Sequence, residues 1–257
     1  MFGWRRKERA PPRTPDGQRA YAIGDIHGRI DLLDRLLGAI EADLRARPPC
    51  RTTLVFLGDL IDRGPSSREV VERLRTFRMD GVLTYFLAGN HEEVLLRLLE
   101  GQRGLLANWL TFGGAECLAS YGLDPAELAE CDESSALAMI KQAIPSAHAN
   151  FIASFADTFT FGDYLFVHAG IRPGVDLSHQ AQADLRWIRH PFLEDESDHG
   201  CVVVHGHTIY DAVQWRSNRI GIDTGAYRSG VLTALGVEGE ERWLLDTAHA
   251  TGSATDP

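Results

Sequence analysis

Apolar residues recur along this chain with two different periods, and the alternation between them lays out its elements. Ala20-Tyr21-Ala22-Ile23, Thr52–Leu57 and Val82–Ala88 are short apolar or β-branched runs of strand length. Between the first two, Ile30, Leu33, Leu36, Leu37, Ile40 and Leu44 recur at helical spacing, and Pro48-Pro49 ends that helix. Pro65-Ser66-Ser67 followed by Glu69 opens a second helix, with Ser66 or Ser67 as its cap. A strand–helix–strand–helix–strand order predicts parallel pairing through right-handed crossovers.

From Glu92 to about Phe155 the pattern is helical, carried by Val94, Leu95, Leu98 and Leu99, then Leu105 to Leu118, then Ala136 to Ile152. Gly113-Gly114 and Tyr121-Gly122-Leu123-Asp124-Pro125 punctuate it. Strands resume on the far side, at 158–161, 164–167, 201–204, 212–215, 219–222, 230–235 and 242–245, so this stretch reads as a helical insertion within one domain. Tight turns such as Ser217-Asn218 predict antiparallel hairpins in this second half. The expected architecture is α/β: a parallel half followed by an antiparallel half, forming two packed sheets with helices outside. The domain spans 20–246, between a basic tail at 1–19 and a small polar tail at 247–257, both expected to be disordered.

Most of the strands run into a short block of polar, chemistry-bearing residues. The blocks are Gly24-Asp25-Ile26-His27-Gly28, Gly58-Asp59-Leu60-Ile61-Asp62-Arg63-Gly64, Gly89-Asn90-His91-Glu92, Val167-His168-Ala169-Gly170 and Gly206-His207-Thr208. Any one of them has an ordinary structural explanation, as a turn or a hydrogen-bonded core histidine. Together they deliver two carboxylates, an amide and three imidazoles to strand ends, where open α/β sheets place their sites. Two divalent cations held about 3.5–4 Å apart need such hard and borderline donors plus one shared oxygen ligand. Asp25 and His27 are positioned for one ion, Asp59 for the bridge, and Asn90, His168 and His207 for the other. His205, two residues before His207, is read as a supporting or core residue.

The motifs resemble the metallophosphoesterase superfamily and, within it, the bacterial phosphoprotein phosphatase (protein serine/threonine phosphatase) family, over roughly Ala20 to Leu235. Three details carry the family-level resemblance: Asp62-Arg63 in the second block, Glu92 after Asn90-His91, and the lack of a second histidine two residues after His207. It implies a calcineurin-like β-sandwich of two mixed sheets and two divalent ions, Mn²⁺ first, with Fe or Zn also suited to these donors. It further implies that His91 is the general acid, Asp62 its hydrogen-bonded partner, and Arg63 and Arg189 the phosphate clamp. Arg189 lies in Leu185-Arg186-Trp187-Ile188-Arg189, whose Trp-x-Arg spacing matches bacterial and phage members. Trp109-Leu110-Thr111-Phe112-Gly113-Gly114 matches a stretch of the bacterial phosphatases. One departure is Ala88, where many members carry arginine.

The implied reaction is direct hydrolysis of a phosphoprotein or phosphopeptide by a metal-bridging hydroxide. Two alternatives remain at this point: a symmetrical dinucleoside tetraphosphate hydrolase, which tends to have Ala where Asp62 stands, and an inactive phosphoprotein-binding module. The net charge of −10 argues against nucleic-acid binding. No apolar run approaches the roughly 18 residues of a membrane span, and the basic start lacks the apolar middle of a signal peptide, so a cytoplasmic protein is expected. Cys50, Cys117, Cys131 and Cys201 show no CxxC spacing and are read as reduced thiols. Oligomeric state is left open.

Overall fold

A computed structural model describes residues 10–249. The strands are β1 (Gln18–Ile23), β2 (Arg51–Phe56), β3 (Val82–Phe86), β4 (Thr158–Phe161), β5 (Tyr164–Val167), β6 (Val202–His205), β7 (Gln214–Trp215), β8 (Arg219–Gly221), β9 (Thr233–Glu238) and β10 (Glu241–Asp246). They form two five-stranded sheets, in the orders β10-β9-β1-β2-β3 and β4-β5-β6-β8-β7. Helices α1 (Ile30–Ala46) and α2 (Ser67–Arg75) are the two crossovers, and β1, β2 and β3 pair in parallel as expected. The insertion contains α3 (Asn90–Leu99), α4 (Leu106–Trp109), α5 (Ala115–Ser120), α6 (Pro125–Glu130), α7 (Glu133–Ala143) and α8 (Ser146–Ala153). The remaining described α-helices are α9 (Gln182–Trp187) and α10 (Ala226–Ser229).

Side-chain alternation along the strands explains the layering. Ala20, Ala22, Val55, Leu57 and Leu235 point between the sheets and meet Phe166, Val202, Val204, Ile220 and Ile222 of the second sheet. The intervening residues Tyr21, Ile23, Leu54 and Phe56 face the other way, onto Leu33, Leu36, Leu37 and Ile40 of α1 and Val70, Val71 and Leu74 of α2. Leu165, Val167 and Val203 pack outward against Leu185, Ile188 and Phe192.

The second half differs from the expected antiparallel meander. β5, β6 and β8 run parallel, because the segments joining them are long enough to cross over. β9 returns to the first sheet, antiparallel to β1, and β10 pairs beyond it. The hairpin at Ser217-Asn218 is present, closed by the Arg216 N–H donating to the Arg219 carbonyl. β3 is an edge strand, with Leu83 and Tyr85 exposed and Tyr85 stacked on Phe159. The helical run from Leu105 is broken by a non-helical turn at Phe112-Gly113. Ser66 and Ser67 do not cap α2; the Ser67 hydroxyl instead accepts the Asp62 N–H at 2.9 Å. Order begins earlier than residue 20: Thr14 bonds to Gln18 and Gly239, and β1 starts at Gln18. Thr247 is likewise buried and bonded to Leu232. The outer parts of both expected tails, 1–9 and 250–257, lie outside the described residues. No described helix is long and apolar enough to cross a membrane.

Two glycines in this frame make opposite demands. A Cβ on Gly64 would overlap the His27 carbonyl and the Gly28 backbone, which cannot retreat. Gly38, exposed in the middle of α1, has nothing within 4 Å of that position. Gly64→Ala is expected to destabilise by about 1–3 kcal/mol through overpacking. Gly38→Ala is expected to stabilise by about 0.5–1 kcal/mol through helix propensity. Urea unfolding of the two variants checks both signs.

Candidate active site

The parallel strands deliver their carboxyl ends to one edge of the sandwich. Asp25 and His27 follow β1, Asp59 and Asp62 follow β2, and Asn90 and His91 follow β3. From the second sheet, His168 follows β5, His207 follows β6, and Asp223 follows β8. The described non-glycine residues with left-handed backbone are His27, Asp59, Asp62, Arg63 and His207. All five are site residues predicted from the sequence. Such conformations persist only where surrounding contacts over-determine them.

Glu92 supplies much of that determination. Its Oε2 accepts the N–H groups of Asp59 at 2.8 Å and Gly89 at 2.9 Å, while Oε1 accepts the Leu60 N–H at 2.8 Å. Asp59 in turn accepts the His91 N–H near the start of α3. The second and third strand-end loops are thus tied through one buried carboxylate. Burial, together with the neighbouring Asp59 charge, pushes Glu92 up to about 7.

Two donor groups share Asp59: His27, Asp59 and His91 on one side, and Asp59, His168 and His207 on the other. Backbone carbonyls orient two of the rings. His27 Nδ1 lies 2.8 Å from the Ile61 carbonyl, and His168 Nδ1 lies 2.8 Å from the Leu57 carbonyl. A carbonyl only accepts, so each ring is protonated at Nδ1 and presents the Nε2 lone pair to the centre. His168 Nε2 then faces Asn90 Oδ1 at 3.0 Å and Asp59 Oδ2 at 3.5 Å. These are acceptors converging with no proton between them. His207 Nδ1 also faces Asn90 Oδ1, at 2.8 Å, and its Nε2 is buried without a partner among the described residues. A divalent cation satisfies this donor set, so the residues fit a metal centre.

The electrostatics agree. Burial lowers His27 to about 3 and His207 to about 2, which keeps both imidazoles neutral and able to ligate. Asp59 is held below the usual carboxylate range because four surrounding histidines outweigh its burial. His91 behaves oppositely. Burial opposes its charge, but Asp59 and a 2.5 Å hydrogen bond to Asp62 Oδ2 raise it to about 9. It is therefore an imidazolium at neutral pH, suited to donating a proton rather than to ligation.

Asp25 sits slightly apart from both donor groups. Its carboxylate accepts the His207 N–H at 3.0 Å and hydrogen-bonds to Asp223. Burial and the charge of Asp223 keep Asp25 protonated well above its ordinary value. Asp223 was missed from the sequence, although Gly221-Ile222-Asp223 repeats the strand-then-acid signal of the other blocks. It is buried, lines the cavity, and is raised to about 6, chiefly by burial. Tyr227 was missed too: Arg63 donates Nη1–H to its hydroxyl at 2.6 Å and lies over its ring. His205 is buried, with Nδ1 on the Gly206 carbonyl and its ring against Phe192, a core position.

Arg63 and Arg189 line the same cavity, about 190 Å³, together with His27, Asp59, Asn90, His91, His207 and Asp223. At roughly 30 Å³ per water, this is room for about six waters. Arg63 also keeps a buried Nε–H without a partner among the described residues. A small anion flanked by two guanidinium groups is what such a space accommodates.

Two outcomes follow for metal binding. Asp59→Asn removes the charge shared by both donor groups, and metal content after dialysis, read by mass spectrometry, is expected to fall well below that of the unaltered chain. Asp25 and Asp223 must release a proton to carry charge beside a cation. Mn²⁺ affinity is therefore expected to rise with pH through about 6, the value to which Asp223 is raised, with proton release on binding measurable by calorimetry.

Comparison with known proteins places this geometry. Residues 19–230 match the family model described as calcineurin-like phosphoesterase. A bis(5'-nucleosyl)-tetraphosphatase PrpE [asymmetrical] of Anoxybacillus flavithermus is 30% identical over 233 residues, covering 83% of this chain and 88% of the relative. A solved structure described as a candidate diadenosine tetraphosphatase superposes with TM-score 0.64 at 22% identity, over 90% of this chain and 94% of that one. A cold-active protein-tyrosine phosphatase of a psychrophilic Shewanella superposes with TM-score 0.53 at 16% identity, over 91% and 83% of the two chains. The last two show likeness of fold alone. With its sandwich, its strand-end donors and a family match over most of its length, this chain belongs to the calcineurin-like metallophosphoesterases.

Proposed function

We propose that this chain is a dinuclear-metal phosphomonoesterase acting on protein phosphoserine or phosphothreonine in the cytoplasm. The observation that carries the reading is the His91–Asp62 pair, hydrogen-bonded at 2.5 Å beside a small cavity that two arginines flank. A leaving alkoxide is a strong base and needs a proton as it departs; an acid of this kind supplies it. In this reading Asp25, His27 and Asp59 hold one ion, and Asp59, Asn90, His168 and His207 the other. Bound divalent ions, with Mn²⁺ the preferred candidate, supply positive charge and lower the pKa of water. Arg63 and Arg189 hold the phosphoryl oxygens. Asp62 keeps the His91 proton directed through Nε2 by engaging Nδ1.

A second reading, hydrolysis of dinucleoside tetraphosphates, has two supports. The similar curated relatives carry that name, in its asymmetrical form rather than the symmetrical form considered from the sequence. In addition, Phe112 and Trp187 are exposed aromatics in the segments around Gly113 and Arg189, where a base could stack outside the cavity. A polyphosphate leaving group is a weak base, however, and makes little use of an imidazolium acid.

The deciding experiment uses the purified protein with Mn²⁺ and compares kcat/KM on phosphoserine, phosphothreonine and phosphotyrosine peptides with that on diadenosine tetraphosphate. The phosphoserine and phosphothreonine peptides are expected to be the better substrates. Preference for the dinucleotide would install the second reading, with products of unequal phosphate number marking asymmetrical cleavage. His91→Asn is expected to lower kcat by about 10²–10⁴-fold on phosphoserine and less on an aryl phosphate, with metal content preserved. Arg189→Ala is expected mainly to raise KM, by about one to two powers of ten.

A further inference from the structure

The Trp109–Gly114 stretch has no assigned chemistry, yet it touches both polar residues of the second block that are not proposed ligands. Trp109 is buried, and its Nε1–H donates at 2.7 Å to Asp62 Oδ2, the same oxygen that engages His91 Nδ1. The other carboxylate oxygen, Oδ1, is buried with no hydrogen-bond partner among the described residues. The Asp62 carboxylate is thus held through Oδ2 by the indole on one side and the imidazole on the other, with the buried Cys117 thiol also beside it. Four residues on, the Gly113 carbonyl accepts the Arg63 N–H at 3.0 Å. Gly113 has φ +108, and a Cβ there would stand 2.5 Å from Arg63 Cγ and from Arg63 N. Gly114 clears space for the Trp109 ring, which a Cβ would overlap. The break in the helix between α4 and α5 is what brings the indole and the Gly113 backbone to the same loop.

We propose that this turn is a positioning bracket: Trp109 sets the Asp62 carboxylate against His91, and Gly113 sets Arg63 at the cavity. The proposal rests on the reading of His91 as proton donor and Arg63 as phosphate ligand. Trp109 and Gly113 touch no reacting atom, so they act through Asp62 and Arg63. A tryptophan serving only as core filling would have no use for a donor aimed at a carboxylate, and Phe would replace it without kinetic consequence.

Trp109→Phe keeps the ring and deletes the donor. On a phosphoserine peptide its kcat is expected to fall about tenfold to a hundredfold, the worth of one hydrogen bond to a charged group. On p-nitrophenyl phosphate, whose leaving group needs little protonation, kcat should fall much less, with KM and metal content held. Gly113→Ala is expected to raise KM about tenfold, with a smaller change in kcat; if it does not fold, Trp109→Phe decides alone. Equal losses on both substrates, or no loss, would overturn the bracket. A separate arm needs no turnover. In the zinc-loaded, ¹⁵N-labelled protein the Trp109 indole resonance, assigned by its disappearance in Trp109→Phe, is expected to move upfield in Asp62→Asn while that of Trp243 stays. An unmoved Trp109 resonance would also overturn the bracket. Wild-type protein inert on both phosphomonoesters would instead count against the proposed function, and the indole shift would still judge the contact.

Discussion

One buried carboxylate holds the site together. Glu92 collects three backbone N–H groups from two loops that leave separate strands, and no other acceptor reaches the Asp59 N–H among the described bonds. Placing a carboxylate in so dry a position costs several kcal/mol, and its affinity for a proton rises accordingly. Three hydrogen bonds to a charged acceptor, each worth about 1.5–3 kcal/mol, offset that cost. The result is a fixed distance between the loop bearing Asp59 and the helix bearing Asn90 and His91, and every donor-group distance inherits it.

The second constraint is direction. Strands β1, β2 and β3 are mutually parallel, as are β5, β6 and β8, so each set carries its loops to one end. Five of those loop residues then leave the ordinary backbone regions within a residue or two of the chemistry. The His27 and His168 rings are anchored at Nδ1 by the Ile61 and Leu57 carbonyls, so the backbone of one strand end aims the side chains of another. Aim is therefore a collective property of the edge.

Much of this was legible in the sequence because its causes are local. Each donor follows an apolar run, and the order of runs and helices dictated the parallel first half. The helical insertion was visible in its spacing. What escaped was non-local. The pairing of β9 with β1 joins residues some two hundred positions apart, and nothing in either strand names the other. The parallel course of β5, β6 and β8 depends on long crossings that the short runs themselves do not encode. Asp223 and Tyr227 were passed over because a lone acid and a lone tyrosine acquire meaning only beside Asp25 and Arg63. Ser67 was read as a helix cap and is instead an acceptor for Asp62, since the cap signal and the loop contact use the same hydroxyl.

The place of β1 in its sheet has a consequence for biosynthesis. Although β1 is the first of the ten described strands to be made, its partners are β2 on one side and β9, the ninth of them, on the other. Until residue 238 emerges, β1 is an edge with unpaired N–H and C=O groups, and the apolar face built from Ala20, Ala22 and Val55 lacks part of its cover. The second half of the donor set is late as well, because His168 and His207 follow three strands of the first sheet and the whole helical insertion. Until those residues emerge, the nascent chain is an open sheet holding half of the donor residues. Closure of the sandwich and completion of the donor set at its edge therefore both wait for the residues from β5 to β9.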